Sequence, residues 1–192
     1  MTRHSALMTG VNQNTKVIVL RTFMDSGEGW GHEEGHELFL KLLKFLKTDQ
    51  SEVYSISLKG VERTDVSFPR ESVVSIAKHF KKQKWFCLND VSSESLLENW
   101  DAAAEKSLMP LIAWNKDEYK VLGLQPPKGT MAILQYILKV PMATTGEIVK
   151  AVKLNVPNVS NKLKRLYEDG FLMRRQRVAE SGGLEFEYFR IR

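Results

Sequence analysis

The sequence contains one cysteine in 192 residues and no long apolar run. A single thiol excludes a framework of intramolecular disulfides and is typical of a reducing compartment. No apolar stretch approaches the roughly 20 residues that cross a bilayer, and residues 1–16 lack the apolar core of a secretory signal. Apolar residues make up 43% of the chain and charged residues 27%, as in ordinary globular proteins. We therefore expect a cytoplasmic protein with no membrane segment.

Positive and negative charges are nearly balanced over most of the chain. Up to Gln125 there are 16 Lys and Arg residues against 17 Asp and Glu, whereas from Pro126 onward there are 12 against 6. The cationic excess therefore lies entirely in the last third. Such an asymmetry predicts a polyanion-binding module joined to a nearly neutral domain.

A turn-forming segment separates these two parts. Pro126 and Pro127 are adjacent, and glycines stand on both sides of them, so no regular element is expected to cross this segment. We predict a flexible tail over 1–15, an α/β domain over 16–122, a linker over 123–127 and a second domain over 128–192.

Short β-type runs alternate with amphipathic stretches before the linker. This alternation predicts an α/β layered fold, with helices packed against a sheet. The predicted strands are 16–23, 52–61, 84–90 and 108–114, and the predicted helices are 33–47, 70–82 and 93–106.

The stretch 55–80 carries the phrase Leu58-Lys59-Gly60-Val61, followed by Asp65-Val66-Ser67-Phe68. It resembles the STAS domains of bacterial anti-anti-sigma factors and, more closely, STAS-like domains of uncharacterised function. The resemblance extends over about residues 16–120. It implies a domain that serves regulation or oligomerisation, or that binds a protein partner such as a kinase or a defence-system component.

Two regulatory features are candidates in this domain. In anti-anti-sigma factors a phosphorylated serine follows the aspartate, but here Val66 takes that position and Ser67 comes one residue later. Ser67 is therefore either a regulatory site or the N-cap of a helix that begins near Arg70. The alternative ligand site is a backbone nest for an anion, formed by the glycine-rich turn at Gly29 and Gly31.

Residues 32–36, HEEGH, match the H-E-x-x-H pattern of zinc hydrolases. In that alternative His32 and His36 are metal ligands and Glu33 activates water. However, Gly31 and Gly35 place the motif at the start of a helix, and no third ligand follows at a suitable spacing. Acidic residues at a helix start are also favoured by the helix dipole. We therefore predict no enzyme, no catalytic residue, no metal and no cofactor.

The last third has a different pattern, with three helical segments and two β-type runs. Thr144-x-x-Glu147 is a capping box at the start of the second helix, and Gly170 is suited to end the third. The segment 155–175 follows the pattern L-x-x-x-G-[LF]-[LI]-x-R, and the whole order over 128–192 resembles the winged helix-turn-helix of bacterial regulators. The predicted helices are 128–140, 144–154 and 156–170, and the predicted wing strands are 171–179 and 184–191.

The third helix has Val159, Leu163 and Leu166 on one face, which leaves polar side chains on the other. Together with the resemblance, this predicts a transcription regulator that binds double-stranded DNA, as a homodimer. The alternative is a protein-interaction adaptor with the winged helix as a docking surface. The predicted DNA-binding residues are Asn158, Ser160, Asn161, Lys162, Lys164 and Arg165 on the helix, and Arg174, Arg175 and Arg177 on the wing.

Overall fold

A computed structural model describes residues 15–178 and 182–192. Its main sheet has five strands that follow one another in chain order. The first four are parallel, and the fifth is antiparallel to the fourth. Apart from Thr15, the predicted tail lies outside the described residues. The strands are β1 (Thr15–Val19), β2 (Val53–Ser57), β3 (Trp85–Asn89), β4 (Pro110–Asn115) and β5 (Glu118–Gly123).

Helices connect the parallel strands. They are α1 (Gly31–Thr48), α2 (67–79, with a π-helical turn over Arg70–Val74) and α3 (Glu94–Lys106). Each connection leads to the next strand on the same side, and right-handed connections of this kind leave all their helices on one face of the sheet. One buried cluster accordingly joins α1, α2 and α3 to the sheet, through residues such as Leu42, Val73, Trp100 and Leu88.

The opposite face of the sheet is covered by the C-terminal third. Alternate residues of a strand point to opposite faces, so β3 turns Phe86 and Leu88 to the helices and Cys87 to the other side. Cys87 belongs to a second buried cluster, which draws on both parts of the chain. That cluster includes Val53, Ile112 and Trp114 from the sheet, and Ile133, Ile137, Leu163 and Phe189 from the last third.

The C-terminal third has the order predicted for a winged helix. A short 3-10 turn over Lys128–Thr130 leads into the first helix, and a three-stranded sheet carries the wing in the order β6-β8-β7. Residues 179–181, which include part of the predicted wing turn, lie outside the described residues. The elements are α4 (Met131–Lys139), β6 (Met142–Thr144), α5 (Thr145–Val152), α6 (Val156–Asp169), β7 (Met173–Val178) and β8 (Leu184–Phe189).

The mixed α/β architecture and the winged helix agree with the prediction, and four strands were missed. Two of them, Glu28–Gly29 and Arg63–Thr64, are only two residues long and form a small parallel sheet of their own. The prediction ends the first region with the strand 108–114, yet a tight turn at Lys116 and Asp117 returns the chain along β5. Lys116 adopts a left-handed conformation there, with φ of 52°. The strand β6 is only three residues long and is defined by its pairing with β8. The STAS-like assignment of the first region stays a prediction.

None of the described helices is long and apolar enough to cross a membrane.

Candidate nucleic-acid interface

Local hydrogen bonds define the start of α5 and the turn that follows it. The Glu147 backbone N–H donates to Thr144 Oγ1 at 3.3 Å, and the Thr144 backbone N–H donates to Glu147 Oε2 at 2.7 Å, which completes the capping box. Lys153 then reverses the chain in a left-handed conformation, with φ of 55°. Asn155 caps α6 by accepting from the Asn158 backbone N–H at 3.0 Å. The result is the short, rigid turn of a helix-turn-helix.

The two faces of α6 differ as the sequence spacing predicted. Val159, Leu163 and Leu166 are completely buried in the second cluster. Each predicted contact residue on the helix lies away from this apolar face. Asn158, Asn161, Lys164 and Arg165 are exposed, whereas Ser160 and Lys162 are half-buried.

The three cations of α6 differ in what they contact. Lys162 Nζ donates to the Gly129 carbonyl oxygen at 2.6 Å, and this hydrogen bond connects α6 to the turn before α4. The Arg165 side chain lies 3.8 Å from the Asp169 carboxylate, one helical turn further on. Lys164 has no acidic partner among the described residues. Of the three, Lys164 is the most available to a phosphate.

Arg174 of the wing is part of the packing. Its guanidinium lies 4.1 Å from the ring centre of Tyr167 and 4.4 Å from that of Phe186, so it is stacked between α6 and β8. Contacts of this kind combine cation–π attraction with buried apolar area. Arg174 therefore orients the wing against α6.

The other two wing arginines form ion pairs. Arg175 pairs with Glu52, just before β2, and its guanidinium lies 5.3 Å from the ring centre of Phe189. Arg177 lies 2.6 Å from Glu185 and 2.9 Å from Glu187, and the hydrogen bond with Glu185 raises its pKa. A phosphate that binds Arg177 has to compete with two carboxylates of the neighbouring strand.

Several exposed residues beside α6 were not predicted as part of the site. Lys150 and Lys153 are exposed at the end of α5, the helix that crosses the DNA backbone in a helix-turn-helix. Leu154 is 36% exposed and Val156 55% exposed, on either side of the Asn155 cap. The sequence pattern does not distinguish Val156 from the buried residues, because it lies three positions before Val159 and seven before Leu163, which is the spacing of the buried face. Leu154 precedes the helix.

The glycine-rich turn at the start of α1 uses its donors internally. The Gly31 backbone N–H donates to Asp65 Oδ2 at 3.1 Å, and the Trp30 backbone N–H donates to Glu34 Oε2 at 2.8 Å. Gly29 packs directly on Phe68, since a Cβ there would lie 2.6 Å from the ring. Carboxylates of the protein itself therefore occupy the position that an external anion would take at these two N–H groups.

Ser67 is the first residue of α2 and is half-buried. The prediction that it caps a helix near Arg70 is wrong, because the helix begins three residues earlier and Asp65 caps it. Asp65 Oδ1 accepts from the Phe68 backbone N–H at 2.8 Å. One carboxylate thus serves the first turns of both α1 and α2. A regulatory role for Ser67 stays a prediction.

The HEEGH segment lies in the first turns of α1. His32 Nε2 is 3.5 Å from Glu71 Oε2, and the His36 ring stacks on Phe39 with ring centres 5.9 Å apart. A Cβ on Gly35 would lie 2.8 Å from the Phe68 carbonyl oxygen, so this glycine allows α1 and α2 to approach closely. Among residues 15–178 and 182–192, no three His, Cys, Asp or Glu side chains are grouped to hold a metal ion.

Comparison with known proteins identifies one segment. Residues 130–173 match the family described as bacterial regulatory protein, arsR family. This segment runs from the residue before α4 to the first residue of β7. It therefore contains all three helices of the winged helix, including both helices of the helix-turn-helix.

A solved structure is also similar to part of the chain. It is titled "Possible transcriptional regulator from Methanosarcina mazei Go1", and the match has 27% sequence identity and a TM-score of 0.31. The match covers 33% of the present chain and 55% of the other, so the present chain spans about half the length of that protein. No curated protein matches the chain.

Proposed function

We propose that this protein is a DNA-binding transcription regulator, in which α6 enters the major groove and the wing lies along the flanking backbone. The match of residues 130–173 to the arsR family supports this function. The observation that carries the proposal is the outer face of α6, where Asn158, Asn161, Lys164 and Arg165 are exposed on a helix whose opposite face is fully buried. Amides and cations on one rigid helical face suit base edges and phosphates.

Within this proposal the charged residues around α6 have different roles. Lys164 and Arg165 lie in the second half of the helix, and Lys150 and Lys153 lie at the end of α5. These four exposed cations bind phosphates on either side of the groove. Arg174 positions the wing, and Arg177 reaches DNA only by exchanging its carboxylate partners.

We further propose that the STAS-like region over 16–122 regulates the winged helix, which spans 128–192, and that the protein acts as a homodimer. Regulation is supported by the buried cluster that the two regions share and by the bond from Trp114 Nε1 to the Ile191 carbonyl oxygen at 2.8 Å. A change on the sheet would reach the wing directly through such contacts. Dimers of helix-turn-helix proteins read two half-sites one DNA turn apart.

A salt titration with paired variants tests the proposal. A selection from random duplexes first provides a binding site for the full chain. The Lys164→Ala/Arg165→Ala variant should then bind that site more weakly, and its slope of log affinity against log salt should be shallower by about 1.8, since each lost phosphate contact contributes about 0.9.

The matched control is Lys44→Ala/Lys47→Ala, which removes two exposed cations from α1. It should leave the slope unchanged. An equal slope for wild type and Lys164→Ala/Arg165→Ala, or no enriched duplex at all, would overturn the proposal.

Protein docking is the second candidate. Glu185 and Glu187 pair with Arg177, so the positive charge on this part of the wing surface is compensated by negative charge. This balance suits a protein partner better than a polyanion. A winged helix that enriches no duplex but is captured by an isolated partner protein would favour this function.

A further inference from the structure

We propose that the first half of α6 reads A·T base pairs, with Asn158 and Asn161 recognising adenine and Val156 contacting the methyl group of thymine. The inference rests on the proposed DNA-binding function and adds the class of base pair that the site selects. It follows from which side chains at the start of α6 are available and which are already engaged.

The two amides are exposed and available. The cap of α6 is made by the Asn155 side chain and does not involve the carboxamide of Asn158. Neither the Asn158 nor the Asn161 carboxamide makes a hydrogen bond within the described residues. They are three positions apart, which places both on the outer face of the helix, one turn from each other. A carboxamide offers a donor and an acceptor side by side, and this pair matches N7 and the N6 amino group of adenine in the major groove.

Val156 is an exposed apolar residue at the N-terminal end of α6. It is the first residue of α6 and 55% of it is exposed, although its apolar neighbours Val159 and Leu163 are completely buried. The N-terminal residues of a recognition helix lie closest to the base edges. Of the four bases, only thymine presents a methyl group in the major groove.

The side chains that would read guanine are engaged or distant. Guanine is read by a bidentate arginine or by lysine. Within the first half of α6 the only cation is Lys162, which is bonded to the Gly129 carbonyl oxygen. Arg165, one turn after Asn161, lies 3.8 Å from the Asp169 carboxylate, and Arg174 is stacked between two aromatic rings. Lys164 follows Val156 by eight residues, about 12 Å along the helix axis, so it lies over the backbone when Val156 is at the bases. The start of α6 therefore favours A·T over G·C pairs.

The test combines base and side-chain changes in the full-length protein. A selection from random duplexes should enrich A·T pairs at the positions protected by α6. In the selected site, replacing each thymine in turn by deoxyuridine removes only the methyl group. At one position, wild type should lose about fourfold in affinity, as expected for one buried methyl-sized group.

Val156→Ala should bind the thymine site about as weakly as wild type binds the deoxyuridine site, and should no longer distinguish the two bases. Asn161→Ala should lose between about fivefold and 150-fold on the selected site and much less on an unrelated duplex. Leu184→Ala is the matched control, because it shortens an exposed apolar side chain on the wing. It should keep full sensitivity to the methyl group.

The outcomes separate the two proposals. If no duplex is enriched, the DNA-binding function itself fails. If a duplex is enriched with G·C pairs under α6, or if Val156→Ala remains as sensitive to the thymine methyl as wild type, DNA binding stands and this inference is overturned.

Discussion

The two faces of the main sheet are buried by different parts of the chain. One face packs against α1, α2 and α3, which connect its own strands, whereas the other packs against α4, α6 and the end of the chain. The strand β4 shows the difference within a few residues, because Leu111 and Ala113 join the first cluster while Ile112 and Trp114 join the second.

This difference follows from the strand order. Strands that are added one after another on the same side, through right-handed connections, leave one face without helices. Apolar residues on that face need another cover. The winged helix provides it, so the element that carries the candidate interface also completes the core of the first region.

The largest expected effect comes from removing a buried tryptophan from either face of the sheet. Trp114 and Trp100 are both almost fully buried, on opposite faces of the sheet. Replacing either by alanine should lower the free energy of unfolding by about 3–5 kcal/mol, as measured by urea denaturation. The two variants should differ in which part of the protein opens first.

The reactivity of Cys87 distinguishes the two variants. Cys87 lies on the face covered by the winged helix, and burial raises the pKa of its thiol to about 12, so little thiolate is present at neutral pH. Alkylation under native conditions should be slow in wild type and should become faster in Trp114→Ala than in Trp100→Ala. Equal rates at equal global stability would mean that the winged helix does not protect this face.

An intermediate effect is expected on the helix side. Gly35→Ala places a Cβ 2.8 Å from the Phe68 carbonyl oxygen and 2.9 Å from Glu71 Cβ, so α1 and α2 must move apart. We expect a loss of about 1–3 kcal/mol in the free energy of unfolding. The control is Gly146→Ala in α5, where the added Cβ meets no atom within 4 Å. That change should be neutral or slightly stabilising, and a comparable loss in both variants would contradict the packing argument.

The smallest effect concerns the ion pair between Glu52 and Arg175, which joins the two regions at the surface. Glu52 is 51% exposed and Arg175 38% exposed, so solvent screens their attraction. A double-mutant cycle with Glu52→Gln and Arg175→Gln should give a coupling energy of about 0–1 kcal/mol, which decreases as salt is added. A larger coupling that persists in high salt would show that this pair, rather than the buried cluster, holds the regions together.

Much of the candidate interface was predictable from the sequence, because it depends on neighbours along one helix. The spacing of Val159, Leu163 and Leu166 determines which side chains of α6 face outward. The partners of Lys162 and Arg175 were not predictable. Lys162 bonds a carbonyl oxygen 33 residues away, and Arg175 pairs with a carboxylate 123 residues away. No local pattern identifies partners at such separations.

The missed and misplaced elements have different causes. The strand β6 is defined by pairing with β8, more than 40 residues later in the chain, so its partner is close in space and distant in sequence. The cap of α2 is Asp65 rather than Ser67, a contact between residues three apart, although the same carboxylate also bonds Gly31, 34 residues before it. The strand β5 pairs with β4, its neighbour along the chain.

The sequence by itself determined the features that rest on short-range forces. The capping box of Thr144 and Glu147, the left-handed Gly170 and the faces of α6 all follow from hydrogen bonds and periodicity within a few residues. The tertiary structure alone decided what covers the second face of the sheet and which cations remain available beside α6. Burial and ion pairing depend on contacts between segments far apart in the chain, and these exist only once the whole fold has formed.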